Sequence, residues 1–307
     1  MVVNHVITKN LSSKIFADIF EYHLKYAPHY ADICITEAPV ARADVYHYHR
    51  PQLEKKGLKS PSVITIHFDL SDVDSWVNLD NIIDVLEEAD KLICLNSGQY
   101  EILKSLGLNN GVVIPHGYNE ELFKKNKKIF DTPRKLVLGL VSKRYARRVK
   151  GEAYLYDLVK LLSPEKISFI LVGQGRNEDA HFLRELGFEV LVFEFLPYRM
   201  YPYIYKSIDF LLMTSMAEGG PANLPEALAS GCPVLATNVG MVPDLIKHNC
   251  NGMILSGDIF SDIELFYDIL NNKNNILDTL FEGAFRDSST ITWKQVVDAH
   301  FELYNSF

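Results

Sequence analysis

Short apolar runs alternate with helical patterns along the whole chain, and this alternation limits the possible folds more than any other feature. In the first half the runs occupy residues 2–8, 33–35, 45–48, 63–66, 92–95 and 112–114. In the second half they occupy residues 136–141, 167–172, 190–195, 208–213 and 234–237. Buried strands separated by helices are typical of parallel sheets. The sequence therefore predicts two α/β domains with a cleft between them.

A polar, lysine-rich stretch at residues 119–134 separates the two halves and predicts a linker. We therefore expect a short first domain at residues 1–118, a second domain at 135–290 and a final helical segment at 291–307.

Length and charge limit the possible classes of function. The 307 residues allow two domains, each with a core of its own. The formal net charge of −8 argues against general nucleic-acid binding, which needs many cations to meet phosphates. Residues 1–135 are nearly neutral, with 16 Lys and Arg against 18 Asp and Glu. We find no signal peptide and no apolar run of membrane-spanning length, so we expect a cytoplasmic protein.

The stretch at residues 215–233 has the pattern of a strand, a loop and a helix with a carboxylate on either side of the helix mouth. Glu218 lies in the loop, Asn223 is a good N-cap, and Glu226 falls at the third helical position. The amides of such a mouth favour an anionic ligand, and carboxylates accept hydrogen bonds from hydroxyls. This combination indicates a sugar nucleotide. The alternative is purely structural, because Asn223 with Glu226 also forms a capping box.

A second cluster holds five cations within eight residues, after the predicted strand at 136–141. They are Lys143, Arg144, Arg147, Arg148 and Lys150. Ligands of parallel sheets bind beyond the carboxyl ends of strands, which favours an anion site here. A solvated surface is the alternative.

Histidines and cysteines give little support to a metal site. His47 and His49 would share a face of a strand, but no third ligand has a helpful spacing, so no metal is expected. His67 closes the next strand, and a satisfied core or surface histidine is the alternative for each. The cysteines at 34, 94, 232 and 250 lack paired spacing, which indicates buried thiols in a reducing compartment.

The pattern Glu-Gly-x-Pro-x-x-x-x-Glu-Ala-Leu-Ala-x-Gly-x-Pro-Val at residues 218–234 resembles the donor-site motif of retaining GT-B glycosyltransferases of family 4. The resemblance implies that Glu218 lies beside the donor sugar and that Glu226 holds the ribose hydroxyls. It places the loop amides on the sugar and the diphosphate. The loop residues concerned are Gly219, Gly220, Pro221, Ala222, Asn223 and Leu224.

Other segments resemble the same family in the same order, over roughly residues 44 to 305. Residues 90–97 and 113–123 resemble a strand ending in serine and the interdomain segment, and 293–304 resembles the last helix, which crosses back onto the first domain. The resemblance implies that Lys150 and Arg144 meet the donor diphosphate, with Arg148 as the alternative arginine. It further implies roles for Gly173 and Leu196 in donor binding, for His67 facing the donor sugar, and for His49 and Arg50 near the acceptor.

Two departures concern the acceptor side. The glycine-rich turn after the first strand is missing, and the first domain is short.

The resemblance implies two Rossmann-like domains and retaining transfer from a UDP-, GDP- or dTDP-sugar to a glycan or lipid-linked acceptor. Such a role would serve cell-surface polysaccharide synthesis, with peripheral contact at the inner face of the membrane and no metal cofactor. Two alternatives stay open: a transferase to a small soluble acceptor, and an inactive donor-binding subunit that supports an active partner.

Overall fold

The computed structural model describes residues 1–8, 14–72, 77–125, 134–145, 149–287 and 289–307. The chain divides into two compact units. The first consists of Met1–Gly117 with Ile291–Phe307, and the second is Tyr118–Thr290. Of the predicted linker, residues 119–125 and 134 are described and belong to the second unit, while 126–133 lie outside the described residues.

The first unit is built on a parallel sheet whose strands are mostly apolar. In chain order its strands are β1 (Val2–Val6), β2 (Asp32–Thr36), β3 (Val45–Tyr48), β4 (Ser62–Ile66), β5 (Lys91–Cys94) and β6 (Gly111–Val113). They are arranged β2-β1-β3-β4-β5-β6. β3 and β4 are buried along their whole length, as expected for strands covered on both faces.

Helices cover both faces of this sheet. They are α1 (Lys14–Tyr26), α2 (Ile83–Glu88), α3 (Ser97–Ser105) and, from the end of the chain, α11 (Trp293–Tyr304). α11 begins with a capping box between Thr292 and Gln295, and it packs beside α1 over one apolar face. Gly117 lies against its start, where a Cβ would come within 2.7 Å of the Trp293 nitrogen, so only glycine fits there.

The second unit repeats the alternation. Its strands are β7 (Leu136–Val141), β8 (Ile167–Val172), β9 (Glu189–Phe193), β10 (Phe210–Met213), β11 (Val234–Thr237) and β12 (Gly252–Leu255). Its helices are α4 (Glu152–Val159), α5 (Arg176–Glu185), α6 (Tyr201–Ser207), α7 (Asn223–Ala229), α8 (Val242–Leu245), α9 (Ile259–Asn271) and α10 (Lys273–Arg286). The parallel sheet has the order β12-β11-β10-β7-β8-β9, with a separate apolar core on each face.

The predicted α/β class with parallel sheets is therefore confirmed. The prediction of buried thiols is right for Cys94 and Cys232, but Cys34 is half-buried and Cys250 is exposed. Within the described residues, no helix is both long and apolar enough to cross a bilayer.

Candidate active site

The strand order of the second unit indicates where a ligand can bind. β7 and β10 are neighbours, while the strands that follow each of them lie on opposite sides of the pair. Where strand order reverses in this way, the loops after the two strands separate and leave a crevice at their carboxyl ends. The loop after β7 leads to Lys150, and the loop after β10 carries Glu218.

Lys150 and Glu218 form an ion pair at this end of the sheet. The ammonium of Lys150 binds Glu218 Oε1, and the hydroxyl of Ser215 donates to the same oxygen at 2.7 Å. Both charged side chains are mostly shielded, with 13% and 11% of their surface exposed. Lys150 also lies over the ring of Tyr145, 5.6 Å from its centroid, and Lys143 lies 5.5 Å from the same centroid. The cation cluster at residues 143–150 and the stretch at residues 215–233 are thus in direct contact.

Backbone contacts hold the two loops together. Thr214 Oγ1 donates to the Lys150 carbonyl at 2.8 Å, and the Met216 amide donates to the Val149 carbonyl at 2.8 Å. Gly151 has φ 72°, and a Cβ there would lie 1.6 Å from the Thr214 carbonyl oxygen. Only glycine allows this approach, so the Lys150-Gly151 pair is fixed by the backbone as well as by charge.

Glu226 is held by two tyrosines. Tyr198 donates its hydroxyl to Oε1 at 2.6 Å, and Tyr205 donates to Oε2 at 2.8 Å. Burial and the neighbouring carboxylate raise the pKa of Tyr205 well above its ordinary value, which keeps its hydroxyl protonated. The two donated hydrogen bonds fix the orientation of this carboxylate.

The prediction of Asn223 as the N-cap of α7 is wrong, and the alternative of a capping box between Asn223 and Glu226 is not found either. The N-cap residue is Ala222, and Asn223 lies inside the first turn, where its amide donates to the Val141 carbonyl at 2.9 Å. This contact ties the start of α7 to the end of β7 and removes Asn223 from capping. Glu226 therefore turns to the tyrosines instead of the Asn223 backbone.

Arg144 is bound to acidic side chains of α5. Its guanidinium pairs with Glu178 and, at 3.3 Å, with Asp179. Asp179 is fully buried and also accepts from Arg176 at 2.6 Å and from Tyr156 at 2.6 Å. The Arg144 side chain is 16% exposed, and its ion pairs with the acids of α5 hold it in position. Arg148, the alternative arginine, lies outside the described residues.

The remaining predicted donor residues lie on loops at this end of the sheet, except Leu224, which lies in α7. Gly173 follows β8 with φ 135°, and a Cβ there would lie 2.5 Å from the Ser142 carbonyl oxygen. Gly219, Pro221 and Leu224 are buried. Gly220 and Leu196 are half-buried, and Ala222 is exposed.

The predicted residues of the first unit lie among buried histidines. His67 is half-buried and its Nε2 lies 3.1 Å from His49 Nδ1. His49 is 3% exposed and both of its ring nitrogens contact other imidazoles, so it is not placed for direct contact with an acceptor. Arg50 is half-buried and lies over the Phe16 ring, 5.2 Å from its centroid.

The expectation that His47 and His49 lack a third partner is wrong. His5 on β1 pairs in register with His47 on β3, and one nitrogen from each of His5, His47 and His49 lies within 4.8 Å of the others. However, His47 stacks on His49 with centroids 4.2 Å apart, and its nitrogens contact the hydroxyls of Tyr304 and Thr65 at 2.6 and 2.7 Å. Metal coordination needs lone pairs that converge on one point, and stacked rings do not provide this. The geometry fits a hydrogen-bonded cluster.

Two further histidines complete the cluster from the helices above. His23 on α1 and His300 on α11 each donate Nδ1–H to the carbonyl four residues earlier, at 3.0 and 2.7 Å. Burial lowers the pKa of His23 to about 4 and that of His300 to about 3. The same cause lowers the pKa of His5, His47, His49 and His67 well below the ordinary value. This part of the first unit is polar but uncharged at neutral pH.

Sequence reasoning missed the residues that support the predicted ones. The aromatic run at residues 198–205 carries no recognisable motif, yet two of its tyrosines bind Glu226. No signal in the sequence pointed to His5, because only the register of β1 with β3 places it beside His47. For Ser215 the signal was its distance of three residues from Glu218.

Comparison with known proteins gives a family match that lies within the second unit. Residues 119–264 match the family model described as glycosyl transferases group 1.

Relatives with modest identity cover different parts of the chain. A Klebsiella pneumoniae protein of the cps region is 24% identical over 52% of this chain and 43% of its own length. An uncharacterized glycosyltransferase of Methanocaldococcus jannaschii is 24% identical over 82% of this chain and 71% of its own. The lipopolysaccharide 1,6-galactosyltransferase of Salmonella typhimurium is 27% identical over 45% of this chain and 46% of its own. Two of these three matches therefore span less than half of the relative.

Solved structures match over the full chain. Anabaena HepE in complex with UDP and glucose superposes with TM-score 0.76 and 16% identity, covering all of both chains. Sucrose-phosphate synthase from Thermosynechococcus elongatus gives TM-score 0.79 and 14% identity, covering 100% of this chain and 98% of that one. Likeness at such identity concerns the fold, and the predicted GT-B fold is confirmed.

Proposed function

We propose that this chain is an enzyme of the glycosyl transferases group 1 family that transfers a sugar from a nucleotide-sugar donor, with retention of the anomeric configuration. The ion pair of Lys150 with Glu218, at the carboxyl ends of β7 and β10, is the observation that carries the proposal. It brings a shielded cation and a shielded carboxylate to the crevice position of the sheet, where a diphosphate and a sugar hydroxyl would each find a partner.

Donor binding would exchange this ion pair for contacts to the donor. Lys150 would turn to the diphosphate, and Glu218, still held by Ser215, would accept a hydrogen bond from the sugar. Glu226, oriented by the two tyrosines, would accept hydrogen bonds from the ribose hydroxyls. Arg144, fixed by the acids of α5, would add a second cation near the phosphates.

The reaction would break the bond between the anomeric carbon and the diphosphate oxygen. Lys150 and Arg144 would stabilise the negative charge that develops on this oxygen, which is the largest single contribution in many such sites. The acceptor hydroxyl would attack from the face that the diphosphate leaves and give its proton to the departing phosphate oxygen. These two cations would take the role that a metal ion has in other transferases.

The similar proteins favour certain substrates. HepE was crystallised with UDP and with UDP-glucose, which makes a UDP-sugar the first donor to test. The Salmonella relative acts on lipopolysaccharide, and the Klebsiella relative belongs to a cps region. We therefore propose a surface glycan or lipid-linked glycan as the acceptor.

Release of nucleotide from UDP-, GDP- and dTDP-sugars tests the proposal directly. We expect turnover with at least one donor, and a loss of 100-fold or more in Glu218→Ala and Lys150→Met, on the order expected for a lost transition-state contact. Glu189→Ala, which removes an exposed carboxylate on β9, serves as the matched control and should retain activity. Binding of a nucleotide without any turnover would instead indicate a donor-binding subunit, and neither binding nor turnover would refute the proposal.

A further inference from the structure

Three imidazoles form a continuous hydrogen-bonded chain through the first unit. His5 Nδ1 lies 2.9 Å from His49 Nε2, and His49 Nδ1 lies 3.1 Å from His67 Nε2. The ring planes of the two pairs differ by only 21° and 29°, and the centroids lie 5.2 and 5.4 Å apart. Neighbouring rings therefore face each other edge to edge through their nitrogens.

The topology of the sheet places the chain across three neighbouring strands. His5 lies in β1, His49 follows β3 and His67 follows β4, and these strands are adjacent in the order β1-β3-β4. His5 and His49 are buried, at 0% and 3% exposed, whereas His67 is half-buried. The chain thus runs from the interior of the sheet to its carboxyl-terminal edge.

Each imidazole of the chain is neutral and carries one ring proton, because burial lowers the pKa of all three. A neutral imidazole has one donor nitrogen and one acceptor nitrogen. The direction of the first hydrogen bond therefore fixes the direction of the second. Only two arrangements exist: all three protons on Nδ1, or all three on Nε2.

The two ends of the row of imidazoles differ in whether they can hold a donor or an acceptor nitrogen. At the outer end, water can reach the half-buried His67 and satisfy either a donor or an acceptor. At the inner end, His5 Nε2 is buried without a hydrogen-bond partner among the described residues. A buried N–H without a partner is rarer in proteins than a buried acceptor without one. The inner end therefore favours a lone pair on His5 Nε2 and a proton on His5 Nδ1.

We propose that His5 and His49 set the tautomer of His67, so that all three protons lie on Nδ1 and His67 offers a fixed N–H donor. His5 donates to His49 Nε2, and His49 donates to His67 Nε2. The remaining nitrogen of His67, Nδ1, then carries the proton and suits an oxygen acceptor such as a sugar hydroxyl. His5 and His49 are positioning residues, because they act on a ligand only through His67.

The tautomer assignment is independent of the proposed function, whereas its effect on turnover rests on that function. Histidine-selective ¹⁵N labelling of the full chain at neutral pH separates the two. Long-range ¹H–¹⁵N spectra locate each ring proton, and ¹⁵N–¹⁵N couplings across the hydrogen bonds identify the donor nitrogens. We expect Nδ1–H for His5, His49 and His67, and a proton on Nε2 of His49 or His67 would overturn the proposal.

Replacing His49 breaks the hydrogen bonds between the three imidazoles and tests whether they control the tautomer of His67. In His49→Leu we expect the His67 signals to move towards those of His181, whose side chain is 77% exposed. His49→Asn keeps an amide N–H near the position of Nδ1 and should restore the Nδ1–H signal of His67. A His67 signal that is identical in His49→Leu and the parent protein would overturn the control by His49, and the parent spectrum decides the tautomers even if a variant fails to fold.

Turnover gives the second readout. We expect His49→Leu to lower kcat/KM for donor hydrolysis on the order of 10- to 100-fold, as expected when a reacting group is misplaced, with His49→Asn close to the parent. Full activity in His49→Leu would overturn the positioning role. If the parent protein turns over no nucleotide sugar, the proposed function fails, and the spectra still decide the tautomers.

Discussion

The two units build their polar sites by opposite means. In the first, six neutral imidazoles at the carboxyl ends of the strands share hydrogen bonds with one another and with hydroxyl and carbonyl groups. In the second, the corresponding end of the sheet holds ion pairs, with Lys150 on Glu218 and Arg144 on two acids of α5. Neutral groups suit recognition by directed hydrogen bonds, whereas fixed cations suit a ligand whose charge grows during reaction. The difference makes the two units respond differently to pH and to substitution.

Acid should affect the first unit most. The folded pKa of His23 is about 4 and that of His300 about 3, both below the ordinary value near 6.5. The unfolded chain therefore binds protons first, and stability is lost as pH falls below about 6.5. At pH 5 these two residues alone lower the free energy of unfolding by about 4 kcal/mol, because each contributes about 1.4 kcal/mol for every pH unit below about 6.5.

Tryptophan fluorescence can follow this loss, because both tryptophans, at 76 and 293, fall within the sequence of the first unit. Urea unfolding curves at pH 7.5, 6 and 5 should show the fluorescence midpoint falling steeply with pH. A midpoint that is constant over this range would contradict the assignment of neutral buried histidines.

A broken ion pair should affect the second unit almost as strongly. Asp209 is fully buried and binds Arg134 through both carboxylate oxygens, one at 2.7 Å. Asp209→Ala leaves the arginine without this partner and should cost about 3–5 kcal/mol. The loss should appear in far-UV circular dichroism on urea unfolding, while the tryptophan transition keeps its midpoint. Asp157→Ala, which removes an exposed partner of Lys160, is the control and should change stability by less than about 1 kcal/mol.

Tyr205→Phe tests the support of Glu226 and should have an intermediate effect. It removes one of two hydroxyls that donate to this carboxylate, and we expect a loss of about 1–3 kcal/mol in thermal unfolding. UDP affinity should fall with it, because the carboxylate is less firmly oriented. Tyr203→Phe on the same helix is the matched control, since Tyr203 is 62% exposed. Equal effects of the two substitutions would argue that Tyr205 contributes packing alone.

The smallest effect is expected for an exposed ion pair in the first unit. Lys294 and Asp298 pair across one turn of α11, with 58% and 47% of their side chains exposed. Lys294→Ala should change the unfolding free energy by about 0.5 kcal/mol or less. A larger change would mean that charge matters in the first unit in a way that the neutral cluster does not explain.

Local pattern predicted the fold well because parallel sheets depend on short apolar runs that can be read directly. It also predicted the proximity of Lys150 and Glu218, through a motif and through the rule for strand ends. It failed where side chains from distant segments compete. Asn223 looked like an N-cap, but its side-chain amide donates to the Val141 carbonyl, and the N-cap of α7 is Ala222. His5 stayed hidden because only the pairing of β1 with β3 brings it beside His47.

Nucleotide binding by the second unit is the central claim, and calorimetric titration with UDP and 2′,3′-dideoxy-UDP tests it most directly. The parent protein should bind UDP at one site and more tightly than the dideoxy analogue, because Glu226 is proposed to accept hydrogen bonds from the ribose hydroxyls. In Glu226→Gln, UDP affinity should fall about 10- to 100-fold, as expected for hydrogen bonds to a charged group, and the preference over the analogue should shrink. Equal affinity of the parent and Glu226→Gln for UDP, or no binding of UDP, GDP or dTDP at all, would contradict the account.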